Sequence, residues 1–239
     1  MIDAHMVRAF ALSGEQVLCA YEADHAGDPD HVVGASVAWF GRDAEGEHLH
    51  SHITGVDPGL QGRSIGYALK LHQRAWALER GIATVRWTFD PLLRRNAFFN
   101  LCKLGAFADR YHVDLYGAMT DATNAGDESD RFAVCWSLTD ARATRAAAGS
   151  EIEPDIESLA ASGASVILDE GSGGRPIASP PSGGVLLARV PAEMTRMRIE
   201  EPALAREWRA AARCARRRVR RRVRGDRDHT QWLVRARTG

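Results

Sequence analysis

Lysine is almost missing from this chain. Of 239 residues only Lys70 and Lys103 are lysine, against 29 arginines. So lopsided a choice between two cations points to genome composition rather than to function. Cysteine is sparse too: Cys19, Cys102, Cys135 and Cys214 lie far apart and form no CxxC pair. That excludes a zinc framework and a disulfide framework, and leaves buried free thiols as the expectation. No metal is expected. No run of about 18 apolar residues occurs, so no membrane span is expected. The start, MIDAHMVRAFALSGEQ, has acids and histidine where a secretory leader needs a basic end and an apolar centre. A cytoplasmic location follows as an expectation. What is present is ordinary: hydrophobic residues make up 45% of the chain, enough for one large domain or one domain with an appendage.

The net charge of zero is a cancellation. Residues 206–237 hold 13 arginines against Glu207, Asp226 and Asp228, a local balance of +10, so the rest carries the opposite charge. Leu204, Trp208, Ala212, Ala215, Val219 and Val223 fall at helical spacing and form one apolar stripe. A helix over about 202–224 is expected to pack through that stripe and turn its arginines to solvent. Such a face attracts phosphates of any kind. Nucleic-acid binding is the minor alternative, because aromatic interleaving, zinc spacing and RNA-binding signatures are all lacking.

Along the chain, residues 3–12 suggest a short helix. Gln16–Ala23, His31–Phe40 and Glu47–Val56 have strand character, and the last leads to the stretch GVDPGLQGRSIGYALK. From Ser64 to Arg80 the apolar positions 65, 68, 69, 71, 75, 76 and 78 mark a helix, closed by Gly81. Ala83–Phe89 is a buried strand stopped by Asp90-Pro91, and Arg94–Leu104 a helix stopped by Gly105. Tyr111–Tyr116 and Phe132–Leu138 are two further strands. Residues 139–184, with GSGG and SPPSGG, look like a loop or partly ordered connection. A strand at Val185–Val190, the arginine-rich helix and a strand at Gln231–Arg235 complete the chain. The division expected is a core over 1–138, the connection, and an extension over 185–239.

The junction between strand and helix at residues 55–66 carries the functional signal. A helix start exposes main-chain N–H groups, and with the helix dipole these form an anion site. Gly62 and Gly66 let a phosphate approach the backbone, and Arg63 adds charge. The ligand implied is a pyrophosphate or similar dianion. The competing reading is a turn followed by an ordinary helix. The spacing does not fit a nucleotide-hydrolysing P-loop.

Gln61-Gly62-Arg63-Ser64-Ile65-Gly66, following Val56-Asp57-Pro58, resembles the acyl-CoA pyrophosphate loop of the GNAT acyltransferases, [QR]-x-x-G-x-[GA]. NAFFNLCKLGA (96–106) is similar to the family's later helix and its K-x-G-F ending. The longer run from Trp87, with Tyr111, Tyr116 and the Ser129-Asp-Arg-Phe stretch, resembles one bacterial branch of GNAT enzymes, some associated with acylating amino acids, succinylation included. The resemblance covers about 15–138. It implies a mixed, mostly antiparallel α/β sheet flanked by helices, with acetyl-CoA or another acyl-CoA as co-substrate. Transfer would go to the amine of a small molecule, an amino acid among the candidates. A non-catalytic acyl-CoA-binding protein is the alternative. The oligomeric state is left open, a homodimer included.

Two departures stand out. An opening strand and helix of the family are not visible, which leaves the C-terminal strands as a candidate cover for that sheet edge. Leu101 stands where many members carry a tyrosine that protonates the departing thiolate.

The chemistry implied needs a base for the amine, a donor for the oxyanion and an acid for the thiolate. His50 and His52 share one face of the strand before the loop and are the first base candidates; a half-exposed surface pair is the plainer reading. Asp90 is the second, with a capping role as its alternative. Tyr111 and Tyr116 are the candidate acids. Gly55 is expected to mark a bulge, and with Val56 to border the pantetheine. Asn96 and Asn100, at i and i+4, could bond its amides. Arg94, Arg95 or Arg131 could hold a substrate carboxylate.

Overall fold

The computed structural model describes residues 3–119, 127–223 and 233–235. Six strands form one mixed sheet in the order β1-β2-β3-β4-β6-β5: Gln16–Tyr21, Val32–Asp43, Gly46–Val56, Thr84–Phe89, Arg131–Ser137 and Phe107–His112, the last being β5. β1, β2 and β3 run antiparallel, whereas β3 and β4 are parallel. The chain divides into two compact units, 1–87 with 135–148, and 88–134 with 149–239. No helix among the described residues is long and apolar enough to cross a membrane.

In the first unit the meander is set by its turns. Asp43 accepts from the Glu45 N–H at 2.8 Å and Gly46 takes φ +117°, so β2 reverses into β3 at Asp43-Ala-Glu-Gly46. Helix α2 (Ile65–Glu79) buries Leu69, Lys70, Gln73 and Ala77. Leu69 and Ile65 lie so close to Gly34 of β2 that a Cβ there would stand 3.2–3.3 Å from them. Gly81, at φ +74°, ends α2 in a left-handed turn. Helix α1 (Ala4–Leu12) covers β1, and its Phe10 stacks on Trp39 at 5.1 Å. Helix α4 (Ala141–Ala147) is tied to α2 by the Tyr67 hydroxyl, which donates to Ala146 O at 2.6 Å.

The second unit departs further from expectation. Helix α3 (Arg94–Phe98) does not continue regularly to Leu104; Phe99–Lys103 is a π-helical turn. β5 covers Phe107–His112 rather than Tyr111–Tyr116, since Asp114 takes φ +47° and breaks the strand. Residues 139–184, expected as an irregular connection, hold α4, α5 (Ile156–Ala161), β7 (Ser165–Glu170) and β8 (Pro176–Ala178). Each is too short to show a period against its Gly and Ser neighbours. β9 (Leu186–Arg189), α6 (Met194–Glu200), α7 (Pro202–Val223) and β10 (Leu233–Arg235) follow. β10 pairs with β9 in a separate four-stranded sheet, order β10-β9-β7-β8, so the final strand does not cover the edge of the larger sheet. α7 packs on β7 and β8, with Trp208 fully buried and its indole N–H donating to Gly174 O at 2.9 Å.

The arginines of α7 do not all face water. Arg209 is 1% exposed and makes two hydrogen bonds to Asp90, at 3.0 and 2.8 Å, and two to Asp127, at 2.6 and 3.4 Å. Arg198 of α6 bonds the same two carboxylates, and Arg213 bonds Asp130. The cost of burying these charges is offset only while every member has its partner. Asp90→Asn would leave two guanidinium groups short of a counter-charge. It is expected to destabilise the protein by about 3–5 kcal/mol, read as a lower urea midpoint with an unchanged slope.

Candidate functional site

Pairing between β3 and β4 covers only Leu49↔Val85 and His50↔Arg86. β3 then runs on from Ser51 to Val56 beside β2 alone. The parting coincides with a β-bulge: Ala38 opposes Ser51 and Val37 opposes Ile53, which leaves His52 as the extra residue. The bulge is therefore at His52 and not at Gly55, which sits in regular register with Ala35. Gly55 serves a different need. A side chain on Gly34 would meet its carbonyl at 3.0 Å, whereas the space around Gly55 itself is open, with no atom within 4 Å of an added Cβ.

Beyond β3, Asp57 caps a single 3₁₀ turn by accepting from Gly59 N–H at 2.7 Å. Gly62 at φ +88° and Ser64 at φ +61° then swing the chain into α2. The main-chain amides of Gly62, Ser64, Ile65 and Gly66 donate to no acceptor among the described residues, and the Ser64 hydroxyl makes no capping bond. Gln61, Gly62, Arg63 and Ser64 are exposed. Nothing lies within 4 Å of a Cβ built on Gly62. A turn of open amides at the start of a 15-residue helix, with Arg63 beside it, is chemically an anion site.

His50 and His52 lie together on one face of β3, both against Trp39, at 5.0 and 4.8 Å between ring centres. Burial first, then the charges of His52, His48 and Lys70, holds the pKa of His50 below the ordinary histidine value. Burial does the same for His52. Both rings are neutral at pH 7 and able to accept a proton.

On the opposite face is a residue the sequence did not mark out. Lys70, 4% exposed, points from α2 to the last paired residues of β3. Its Nζ donates to Ser51 Oγ at 2.8 Å and Gln73 Oε1 at 3.0 Å, and lies 4.1 Å from the centre of the Trp87 ring. Gln73 in turn donates to Gln16 Oε1 at 2.7 Å. No carboxylate is among the partners of Lys70, and burial pulls its pKa down to about 7. Only its place on the inward side of α2, between Leu69 and Gln73, could have signalled this.

The other candidates belong to the second unit. Asp90 is 3% exposed and saturated: it accepts from Leu92 N–H at 2.9 Å as well as from Arg198 and Arg209. Burial alone would raise its pKa, but these partners bring it below the usual carboxylate value, so it cannot serve as a base near neutral pH. The capping alternative describes it better. The Tyr111 hydroxyl donates to Asp130 at 2.5 Å, and burial together with that carboxylate pushes its pKa far up, so it is no acid for a thiolate. Tyr116 is 49% exposed, its hydroxyl 2.9 Å from Thr88 Oγ1. Arg131 is buried and donates to Asp130 O and Met119 Sδ. Arg94 is partly exposed, Arg95 and Asn96 are exposed, and Asn100 is buried, which separates the two asparagines in accessibility. Leu101 is buried in the π-helical turn.

No protein-family model and no curated protein matches the chain. Similar solved structures include Naa20 from Chaetomium thermophilum in complex with a bisubstrate analogue, 16% identical over 65% of this chain and 80% of that one, TM-score 0.45. Ard1 from Thermoplasma volcanium is 15% identical over 56% and 78%, TM-score 0.43. The ribosomal-protein-S18-alanine N-acetyltransferase from Escherichia coli is 18% identical over 56% and 77%, TM-score 0.40.

Lys70 ties stability to pH. Its folded-state pKa is lowered to about 7, so between there and its unfolded value the unfolded chain binds more protons. The wild type should therefore gain stability as pH rises from 7 to 10, by on the order of 3–5 kcal/mol. Lys70→Met should lack that rise. The difference between the two unfolding curves across this range is the measurement.

Proposed function

We propose that the protein is an acyl-CoA-dependent N-acyltransferase of the GNAT type. The observation that carries the proposal is the turn into α2, where the open amides of Gly62, Ser64, Ile65 and Gly66 lie directly beside the run of β3 that β4 leaves unpaired. A pyrophosphate accepts several main-chain hydrogen bonds there and is favoured by the helix dipole. The sequence pattern Gln61-Gly-Arg-Ser-Ile-Gly66 resembles the family's loop at these same positions.

The chain's residues divide the work as follows. Gly62, Arg63, Ser64, Ile65 and Gly66 hold the phosphates. The free side of Ser51–Val56 offers amides and carbonyls to the pantetheine arm, which carries amides of its own and can lie along the strand as a partner. A main-chain N–H on that run donates to the oxyanion. His50 or His52, neutral at pH 7, takes the proton from the acceptor ammonium, directly or through water. An alkyl amine with a pKa near 10.4 is neutral only about once in 10³ molecules at pH 7, so that step limits the rate unless a base assists. Neither Asp90 nor Tyr111 enters, each being committed to partners in the second unit. The acceptor is the amine of a small molecule, an amino acid among the candidates, and the acyl group is acetyl or succinyl-like.

Gly66→Asp is the sharpest test. A Cβ at position 66 meets only Val56 Cγ2, at an ordinary 3.6 Å, and an acid in the first turn suits a helix. The fold should survive while the new carboxylate occupies the anion site. The dissociation constant for CoA by calorimetry should rise at least about tenfold, a loss of 1.4 kcal/mol or more. Unchanged affinity would remove the site from consideration. Gly62→Asp should act in the same direction.

The base is tested by turnover. Release of free thiol from acetyl-CoA and succinyl-CoA, against a panel of amino acids and short peptides, should show an acidic limb below pH 6.5, where the depressed histidine pKa values lie. His50→Ala or His52→Ala should abolish that limb; its persistence in both variants excludes the pair. Tight CoA binding without thiol release on any amine would instead favour a binding protein without turnover.

A further inference from the structure

The connection from β1 to β2, Glu22–His31, has the sequence EADHAGDPDH and is folded on itself. Glu22 N–H donates to His31 O at 3.0 Å, His25 N–H to Glu22 O at 3.2 Å, and Asp28 N–H to His25 O at 3.1 Å. His31 N–H closes the ring by donating to Asp28 O at 3.1 Å. Asp24 and Gly27, at φ +66° and +88°, make the two tight corners.

Two imidazoles stack inside this frame. The rings of His25 and His31 are 3.8 Å apart and 19° from parallel. Nδ1 of His25 lies 3.0 Å from Ala23 O, which can only accept, so that nitrogen carries a proton. Nδ1 of His31 lies 2.9 Å from a Glu22 carboxylate oxygen. Asp28 Oδ2 lies 3.9 Å from Nε2 of His31. One atom from each of Glu22, His25 and His31 falls within 4.8 Å of the others, as ligands of a single ion would.

We propose that Glu22, His25 and His31 form a divalent transition-metal site that takes zinc. Two imidazole nitrogens and one carboxylate suit zinc, with a fourth position open to water; magnesium and calcium prefer an all-oxygen set. The contact of His25 with Ala23 O orients that ring, as an outer partner of a metal-bound histidine does. Zinc there would pin the β1–β2 connection close to the turn that follows β3, since Asp57 N–H donates to Val33 O at 3.0 Å at the start of β2. The site takes no part in acyl transfer and stands whether or not that activity does.

Calorimetric titration of chelator-stripped protein with zinc chloride tests it. One zinc per chain should bind, and His25→Ala/His31→Ala should weaken binding at least about tenfold, while His50→Ala/His52→Ala keeps it. Absence of saturable zinc binding overturns the proposal, and so does equal binding by the His25/His31 double variant. Thermal unfolding is the second measurement. The stripped double variant should melt like the stripped wild type, because Glu22 and His25 are exposed and His31 partly so, and zinc should raise only the wild-type midpoint. A zinc-induced rise of equal size in both would place the ion elsewhere.

Discussion

Hydrogen bonding between β3 and β4 ends after His50, and the candidate binding site is built on that end. A parallel pair normally continues until a strand runs out, because each unmade bond leaves polar backbone groups to be satisfied elsewhere. Here β3 goes on for six more residues with its partner gone. The bulge at His52 supplies the local change of direction, and the exposed position of His52 through Gly55 lets water or a ligand complete the missing bonds. The same run delivers the chain to the Asp57 turn, so the open edge and the open amides of α2 are consecutive stretches of one segment. A ligand with a charged end and an amide-bearing arm matches both at once.

A different principle organises the second unit. Its buried carboxylates, Asp90, Asp127 and Asp130, are met by Arg198, Arg209 and Arg213 from two helices, with two-pronged contacts at Asp90 and Asp130. Planar guanidinium groups can share one carboxylate between two donors and still present further N–H groups to a neighbour, which an ammonium cannot do with the same geometry. The arrangement fixes how α6 and α7 approach the end of β4, and it accounts for an acid at position 90 that looks catalytic in a linear sequence.

Much of the first unit was legible because its signals are local. Strand character marked β1 to β3, Gly81 marked a helix end, and the Gln61–Gly66 pattern announced a helix start meant for an anion. What escaped notice depends on partners distant in sequence. Arg209 and Arg213 read as solvent-facing because their carboxylates lie 82 to 119 residues away. The bulge fell at His52 rather than at the nearby glycine, since the register of β2 decides it. His31 reads as the start of a strand and His25 carries no signal of its own; the corner at Asp24 brings their rings into a stack. The strand expected at Tyr111–Tyr116 was drawn to its aromatics, whereas β5 begins soon after Gly105 and carries the exposed polar residues Asp109 and Arg110 in its middle.

The scarcity of lysine acquires a meaning at position 70. A coding bias strong enough to leave two lysines in the whole chain steadily converts the residue to arginine wherever the exchange is harmless. At Lys103, a third exposed beside Glu151, it would be. Inside α2 it would not, because a guanidinium cannot shed its proton and has no carboxylate there to meet it. Position 70 should thus resist the drift that has swept the rest of the sequence, and among diverging descendants of this gene its codon should change last.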